Sequence, residues 1–312
     1  VDSVGRVRTK TTIIMNDILP PFLKKGDHVA LISPSGVIDE ALVLAAKEVY
    51  ESWGLVAEIG TSALKKNGRF AGTDEDRIAD ITWALTDKRI KAIFCNRGGY
   101  GLVRLVGQID FNKCLKTPKW VVGFSDVTVL HSVLSNYDIC SVHAIMAKHV
   151  SENPESLPVV YLKKILFGEM PSYTIPSYAL NKQGEVTGKL LGGNLSVLYG
   201  LRATPFDVNF DDAILFLEDV SERTYHIDRM VQNLKLSGVF GKIAGLIVGQ
   251  FSDVDFDESF PLSPYEIINE AIKDYSFPVC YNFPAGHVSE NFPLVLGRET
   301  MLRVSENQSL II

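Results

Sequence analysis

The chain has 312 residues, of which 46% are hydrophobic and 22% are charged, so it has the composition of a globular protein and the length of about two domains. Its formal net charge of −6 and its lack of a dense run of Lys and Arg argue against a nucleic-acid-binding surface. No stretch approaches the roughly 18 consecutive apolar residues that a membrane-spanning helix needs, so we expect no membrane partner.

The four cysteines are scattered and form no C-x-x-C pair. Three of them, Cys95, Cys140 and Cys280, lie in apolar runs, whereas Cys114 does not. We therefore interpret them as free thiols in a reducing compartment and expect a cytoplasmic protein. Residues 1–16 contain nothing that resembles an export signal and are interpreted as a tag remnant or a flexible arm.

Strands and helices alternate in the first half of the sequence. Helices are predicted to begin near Asp39, Thr73 and Asp126, with a further one after Gly101. Buried strands are predicted at residues 28–33, 55–59, 90–95, 120–122 and 139–142. This alternation predicts an α/β N-terminal domain of residues 17–150 with a doubly wound, mainly parallel sheet, whose ligands lie at the carboxyl ends of the strands.

A second and smaller α/β domain is predicted for residues 185–312. The pattern weakens between residues 151 and 184, where several prolines fall, and this segment is predicted to be a linker. The predicted elements that follow are a short helix after Gly192-Gly193-Asn194, strands at 213–217, 243–248 and 279–282, helices at 225–236 and 264–273, and a hairpin at 294–304.

Ser125 is a candidate nucleophile because of its position between a predicted strand and a predicted helix. A strand that turns into a helix within three residues leaves the serine at a bend, beside the first N–H groups of the helix. The glycine that usually stands two residues after such a serine is Val127 here. The alternative is a structural turn in which Asp126 begins the helix.

A nucleophilic serine needs a base to accept its proton and a third group to orient that base. His287 follows a predicted strand and a Pro-Ala-Gly bend, and Glu218 ends an apolar run where a carboxylate should have a specific partner. The alternatives are a structural histidine and a carboxylate that caps the next helix, a role for which Asp219 and Ser221 compete. We predict Ser125, Glu218 and His287 as a catalytic triad, with the acid and the base supplied by the C-terminal domain.

An acyl-transfer site also needs N–H donors aimed at the developing oxyanion. The loop after the third predicted strand can approach a substrate closely, and we predict the amides of Gly99 and Asp126 as the oxyanion hole. Arg97, Gly98 and Tyr100 of the same loop are candidate substrate-binding residues. A phosphate cradle is the competing interpretation, but the loop follows the third strand instead of the first and lacks the last glycine of that motif.

Other chemistries find less support in the sequence. His143 and His149 are too far apart for adjacent turns of one helix, and no H-E-x-x-H motif occurs, so we expect no metal. A glycosidase pair of carboxylates stays open, with Asp126 and Glu218 as its candidates.

Several stretches together resemble the LD-carboxypeptidases, a serine peptidase family that includes the microcin self-immunity peptidases. They cover nearly the whole chain from about Leu19 and are Ser33-Pro34-Ser35-Gly36, Asn96-Arg97-Gly98-Gly99-Tyr100-Gly101, Gly123-Phe124-Ser125-Asp126, Gly192-Gly193-Asn194-Leu195, Leu217-Glu218-Asp219, Tyr225-His226-Ile227-Asp228-Arg229-Met230 and Gly286-His287. The resemblance implies that the family's Ser-Glu-His triad falls on Ser125, Glu218 and His287. It also implies a homodimer, a mechanism without a cofactor, and cleavage between an L-centre and a terminal D-amino acid in murein tetrapeptides, as in peptidoglycan recycling.

The sequence departs from the family pattern at two places. His143-Ala144-Ile145 stands where the family usually has histidine, glycine and proline, which leaves the shape of the cleft floor open, and His226 replaces an arginine. The stretch between Glu185 and Glu218 is too short for the long catalytic loop of the microcin-immunity branch, which favours the murein branch.

Two alternative functions remain. One is a microcin-immunity-type peptidase that cleaves an aminoacyl-nucleotide amide. The other is a non-catalytic two-domain protein that binds a peptidoglycan fragment or a nucleotide, which requires Ser125 to lie far from His287. The sequence does not identify the residue that binds the free carboxylate of the substrate, for which Arg97, Arg104 and Arg223 are candidates.

Overall fold

The structure is a computed structural model that describes residues 17–255 and 257–312, except for the side chain of Cys114. Our interpretation of residues 1–16 lies outside the described residues. In chain order the strands are β1 (His28–Ile32), β2 (Val56–Ile59), β3 (Ile90–Cys95), β4 (Trp120–Gly123), β5 (Ser141–His143), β6 (Tyr173–Pro176), β7 (Gly184–Asn194), β8 (Ile214–Val220), β9 (Gly245–Ser252), β10 (Val279–Cys280), β11 (Leu294–Leu296), β12 (Glu299–Val304) and β13 (Gln308–Ile311). The α-helices are α1 (Glu40–Ser52), α2 (Asp74–Thr86), α3 (Leu102–Leu105), α4 (Thr128–Ser135), α5 (Ala147–Glu152), α6 (Leu157–Leu166), α7 (Leu195–Leu201), α8 (Thr224–Leu236) and α9 (Pro264–Ala271).

Capping side chains explain where two of the helices begin. Thr73 accepts a hydrogen bond from the N–H of Asp76, and Asp76 accepts one from the N–H of Thr73, at 3.2 and 3.1 Å. Ser263 and Glu266 form the same reciprocal pair at the start of α9, with Pro264 at the first helical position. Such pairs satisfy N–H groups that have no partner inside the helix.

The first sheet has the strand order β2-β1-β3-β4-β5, all parallel, and β11 joins β5 at its edge in the antiparallel direction. Helices α1, α5 and α6 pack on one face, where Tyr50 and Leu162 are buried with Phe94. Helices α2, α3 and α4 pack on the other, where Ile81 and Val133 are buried. The predicted doubly wound, mainly parallel α/β sheet is confirmed.

The second sheet has the order β10-β9-β8-β7-β12-β13-β6, in which β7 to β10 are parallel and the rest are antiparallel. Helices α7, α8 and α9 cover one face. The other face buries Phe216 and Phe283 in a cluster that also contains Leu294 and Leu296 of the first sheet. This shared apolar cluster holds the two sheets together, because apolar area removed from water is the main favourable contribution to packing.

The structure shows secondary structure in the segment between the two predicted domains. The segment predicted as a linker, residues 151–184, contains α6 in the core of the first sheet and β6 at the edge of the second. Its four prolines do not prevent this, since Pro158 lies in the first turn of α6 and Pro176 ends an edge strand. The division into domains at these residues stays a prediction.

The predicted hairpin at residues 294–304 is wrong. β11 leaves the second half of the chain and pairs with β5 of the first sheet, and the terminal hairpin is β12 with β13. A three-residue apolar strand carries no sequence signal for its partner, so only the tertiary packing decides which sheet it joins.

No helix among the described residues combines the length and the apolar character that crossing a membrane requires.

Candidate active site

Ser125 lies at the bend between β4 and α4, as predicted. β4 ends at Gly123, Phe124 is extended, and a single 3-10 turn from Ser125 to Val127 leads into the helix. The φ angle of Ser125 is +64°, in the left-handed region that residues other than glycine seldom adopt. Such a conformation costs on the order of 1 kcal/mol and is found where surrounding contacts enforce it.

His131 supports this bend through hydrogen bonds of both its ring nitrogens. It is buried, and its two ring nitrogens lie 2.9 Å from the carbonyl oxygen of Gly123 and 2.8 Å from the hydroxyl of Ser141. Burial lowers the pKa of His131 to about 4, so the ring is neutral at neutral pH. Because a carbonyl only accepts, Nε2–H donates to Gly123 and Nδ1 accepts from Ser141, which fixes the end of β4 immediately before the candidate nucleophile.

The carboxylate of Asp126 also supports the bend at Ser125 through hydrogen bonds. It accepts hydrogen bonds from the hydroxyl of Ser35 at 2.6 Å and from the N–H of Leu102 at 2.9 Å. Burial raises the pKa of Asp126, and these two bonds oppose that effect. The side chain therefore ties the loop after β1 and the start of α3 to the bend, instead of capping the helix that follows it.

Glu218 and His287 are brought together in the second half. Oε2 of Glu218 accepts a hydrogen bond from Nδ1 of His287 at 2.8 Å, and the glutamate is fully buried two residues before the end of β8. The N–H of Gly286 donates to Asn291 at 2.9 Å, which fixes the loop that carries His287. Gly286 has φ +135°, and a Cβ there would lie 3.1 Å from Oε2 of Glu218, so glycine lets the loop approach the carboxylate.

The neighbouring Asp219 has a different set of partners. Its carboxylate accepts hydrogen bonds from the side-chain amide of Asn194 and from the N–H of Ser196, both at 2.9 Å. Burial, and after it the charge of Glu218, raise the pKa of Asp219 to about 7. The N–H of Asn194 donates to Oγ1 of Thr128 at 3.1 Å, so a short chain of hydrogen bonds links α4 behind the bend to the strand that carries Glu218.

A cavity of about 580 Å³ lies between the two halves. Ser125, His287, Arg97, Gly98 and Gly99 line it, and the Phe124 ring lies 4.7 Å from the His287 ring, centroid to centroid. A Cβ on Gly98 would lie 2.9 Å from Cβ and 3.1 Å from Oγ of Ser125, so this loop passes directly over the serine. Among the described residues, Ser125 and His287 are not hydrogen-bonded to each other, although both face this cavity.

The other candidates from the sequence lie elsewhere. Tyr100 is 44% exposed and packs against Phe70, outside the cavity. Arg104 pairs with Asp74 at 2.8 Å, and Arg223 pairs with Asp255 at 3.2 Å beside a separate cavity.

The two carboxylates considered as a glycosidase pair are hydrogen-bonded to different partners. Asp126 bonds to Ser35 and Leu102, Glu218 bonds to His287, and neither lines the cavity. Within residues 17–255 and 257–312, no group of three or more His, Cys, Asp or Glu side chains has an arrangement that could hold a metal ion.

The sequence analysis did not single out Lys148 and considered His149 only as a metal ligand, yet both line the cavity at the start of α5. Burial lowers the pKa of His149, and its Nδ1 is buried without a hydrogen-bond partner among the described residues. The available signal was position, since both residues follow the carboxyl end of β5, the edge of a parallel sheet where ligands bind. His143, at the end of that strand, is fully buried between the rings of Phe124 and Phe216 and does not line the cavity.

The sequence matches two known domain profiles. Residues 29–144 match the LD-carboxypeptidase N-terminal domain, and residues 187–302 match the LD-carboxypeptidase C-terminal domain. The two matches together cover most of the chain and coincide with the two halves that supply Ser125 and the Glu218–His287 pair.

Individual proteins are similar over nearly the full length. A Bacillus subtilis protein named "Probable murein peptide carboxypeptidase" is 31% identical over 298 residues, 94% of this chain and 93% of that protein. The murein tetrapeptide carboxypeptidase of Pseudomonas aeruginosa is 27% identical over 286 residues, 88% of this chain and 92% of that protein.

Solved structures share the fold. The muramoyltetrapeptide carboxypeptidase from Oxalobacter formigenes superposes with a TM-score of 0.83 at 28% identity, covering 91% of this chain and 97% of that chain. The microcin C7 self-immunity protein MccF superposes with a TM-score of 0.82 at 21% identity, covering 94% and 98%, which shows a shared fold. From the two domain matches and these relatives, the chain belongs to the LD-carboxypeptidase family of serine peptidases.

Proposed function

We propose that this protein is a serine carboxypeptidase that hydrolyses the amide bond between an L-centre, diaminopimelate or lysine, and a terminal D-alanine in murein tetrapeptides, as a step in peptidoglycan recycling. The observation that carries the proposal is one cavity faced by both Ser125, on its left-handed bend, and His287, whose ring is bonded to the buried Glu218. The names of the relatives from Bacillus subtilis and Pseudomonas aeruginosa support the substrate class.

In the first half of the proposed reaction, Oγ of Ser125 attacks the carbonyl carbon that precedes the terminal D-alanine. Nε2 of His287 accepts the serine proton, because Nδ1 is occupied by its bond to Glu218. The glutamate holds the ring in this tautomer and stabilises the imidazolium that forms. The same Nε2–H then protonates the leaving amine, the C–N bond breaks, and an ester on Ser125 remains.

The oxyanion that forms in this step needs fixed N–H donors. We assign them to the amides of Gly99, in the loop over the serine, and of Asp126, the second residue of the 3-10 turn. The closeness of the Gly98 backbone to both Ser125 and the nitrogen of Asp126 supports this assignment, since a Cβ on Gly98 would lie 3.3 Å from that nitrogen. Water activated by His287 then attacks the ester and regenerates Ser125.

The oligomeric state and the compartment are part of the proposal. Cys95, Cys140 and Cys280 are free, buried thiols, which fits a reducing compartment, and we propose a cytoplasmic homodimer. Sedimentation equilibrium of the purified protein tests the homodimer, because a single species with the monomer mass of 34.5 kDa would contradict it.

The test of the function is D-alanine release from L-Ala-γ-D-Glu-diaminopimelate-D-Ala by the wild type and by Ser125→Ala. We expect the variant to be slower by at least about 10³-fold, the usual loss when a nucleophile is removed. Ser52→Ala, which changes an exposed serine on α1, serves as the matched control and should keep wild-type activity. Equal release by the wild type and Ser125→Ala would exclude the mechanism.

The remaining candidates are outcomes of the same experiment. One structure of MccF contains aspartyl sulfamoyl adenosine, so aminoacyl-nucleotide amides are the comparison substrates. Faster cleavage of those amides than of the tetrapeptide would assign the chain to the microcin-immunity type. Binding of the tetrapeptide without hydrolysis of any substrate would identify a non-catalytic binder.

A further inference from the structure

A peptidase that removes only the last residue of a peptide has to bind the free carboxylate of that residue. The carboxylate is separated from the cleaved bond by the single Cα of the leaving amino acid, so its partner has to lie in the cavity that contains Ser125. Arg104 and Arg223 are excluded by this requirement, since each is paired with an aspartate outside the cavity. Arg97 and Lys148 are the Arg and Lys side chains among the described residues that line it.

Arg97 is held in place by the protein. One of its guanidinium nitrogens donates to the carbonyl oxygen of Val37, and the stem of the side chain lies against Gly36, with Cδ and Nε 3.6 Å from where a Cβ of that residue would stand. Part of the hydrogen-bonding capacity of Arg97 is therefore used to fix the loop over Ser125.

The side chain of Lys148 is held less firmly by the protein than that of Arg97. The one ion pair it forms with a described residue is to Glu152, one helical turn away, at 4.0 Å, and both side chains are about half exposed or more. An exposed pair of this kind stabilises a helix by only a few tenths of a kcal/mol. The ammonium group can therefore exchange this weak contact for a ligand carboxylate at little cost.

The surroundings of Lys148 suit one carboxylate. His149 follows it in α5 and lines the same cavity, with its buried Nδ1 unpartnered among the described residues and its ring 6.1 Å from that of Phe124. The acid in this lining, Asp39, already accepts the N–H of Ala41 at the start of α1. The cavity thus presents two cations against one carboxylate that is engaged as a helix cap.

We infer that Lys148 is the specificity-determining residue that binds the free α-carboxylate of the leaving C-terminal residue, with His149 and Phe124 forming the wall of this subsite. The inference rests on the proposed carboxypeptidase function and adds to it the residue that distinguishes a chain end from an internal bond. A lysine suits this task because its charge-assisted hydrogen bonds to a carboxylate are about twice as strong as neutral ones.

The kinetic test compares the tetrapeptide with its C-terminal amide, which lacks the charge. We expect Lys148→Met to lower kcat/KM for the tetrapeptide about tenfold to hundredfold and to leave kcat/KM for the amide unchanged. Lys148→Arg should recover most of the loss. Lys164→Met, which removes an exposed lysine of α6 that pairs with Glu169, is the matched control and should behave as the wild type. An unchanged tetrapeptide rate, or an equal loss on both substrates, would overturn the inference.

A binding test separates this inference from the proposed function. Calorimetry with Ser125→Ala should give a Kd for the tetrapeptide that rises at least about tenfold when Lys148→Met is added, while the Kd of the amide stays the same. If the wild type releases no D-alanine but this difference is found, the hydrolytic function fails and the carboxylate subsite stands. If the wild type is active and neither kinetics nor binding depends on Lys148, only the subsite is overturned. Absence of both activity and binding would overturn both.

Discussion

The proposed nucleophile and the proposed acid–base pair are held differently in the two halves of the molecule. In the C-terminal half, the buried Glu218 already accepts a hydrogen bond from His287 at 2.8 Å. In the N-terminal half, Ser125 is held at φ +64°, yet its hydroxyl is not bonded to His287 among the described residues. The Glu218–His287 hydrogen bond is present without substrate, whereas the proposed mechanism requires the Ser125–His287 contact to form in the substrate complex, where catalytic hydrogen bonds often tighten.

This difference follows from what each group costs when it lacks a partner. A buried carboxylate without a partner destabilises a protein by several kcal/mol, so Glu218 has to be paired in the resting protein. The hydroxyl of Ser125 is neutral and borders a cavity, so leaving it without a protein hydrogen-bond partner does not carry such a penalty. The N-terminal half therefore contributes a fixed backbone conformation at Ser125, and the C-terminal half contributes a hydrogen-bonded pair of side chains, Glu218 and His287.

The largest effect should come from breaking the pair in the C-terminal half. We expect Glu218→Gln to lower kcat about 10³-fold to 10⁴-fold, because the amide no longer holds the correct tautomer or stabilises the imidazolium. Steady-state release of D-alanine measures it. Glu222→Gln is the matched control, since Glu222 bonds to the half-buried His226 at 2.5 Å, and it should leave kcat near the wild-type value. A kcat within tenfold of wild type for Glu218→Gln would show that the pair is structural.

Acidic pH should lower the stability of the folded protein through His131, which supports the bend at Ser125 in the N-terminal half. The pKa of His131 is lowered to about 4, so its contribution to stability is complete above its ordinary pKa near 6.5 and is lost as the pH falls towards 4. The loss amounts to about 1.4 kcal/mol per pH unit, or roughly 3 kcal/mol in all. Urea unfolding between pH 7 and pH 4 measures the slope in the wild type and in His131→Gln.

In His131→Gln, the free energy of unfolding should depend less steeply on pH, by the contribution of the one proton that His131 binds on unfolding. Asp219, whose pKa is raised to about 7, acts in the opposite direction, because the folded protein keeps its proton longer and loses stability as the pH rises from about 4 to 7. Asp219 is present in both proteins, so the difference between the two slopes isolates His131. Identical slopes would contradict the assignment of a neutral, buried imidazole.

The position of Ser125, the proposed nucleophile, should be sensitive to the loop that passes over it. A Cβ on Gly98 would lie 2.9 Å from Cβ of Ser125, so we expect Gly98→Ala to displace the serine and to lower kcat about tenfold to hundredfold. Gly107→Ala is the control, because a Cβ there meets nothing within 4 Å. Equal rates for the two variants would show that the loop yields instead of the serine.

The smallest effect should come from the link between the halves. Thr128→Val keeps the shape of the side chain but leaves the buried N–H of Asn194 without its acceptor. We expect a loss of about 1–2 kcal/mol in the free energy of unfolding and a loss in kcat of less than about tenfold. Thr86→Val, at an exposed helical threonine, should change neither quantity measurably. An unchanged free energy of unfolding in Thr128→Val, or an equal loss in Thr86→Val, would contradict the proposed link.

The sequence predicted the architecture and the bend because both depend on local signals. β3 was predicted at Ile90–Cys95 and lies there, since an apolar run bounded by polar residues marks a buried strand. The bend at Ser125 follows from a strand and a helix that are too close for any loop. The pairing of β11 with β5 and the place of Lys148 in the cavity could not be predicted, because each depends on contacts between residues far apart in the chain.

The antiparallel strand β11 has a consequence for protein synthesis. It is the outer neighbour of β5, and the loop that carries His287 runs from β10 of the second sheet to β11 of the first. A ribosome makes β5 long before Leu296, so the edge of the first sheet stays uncovered on the nascent chain, as a site where other chains can pair. The loop that carries His287 is therefore anchored at its second end only when β11 pairs with β5, late in the synthesis of the chain.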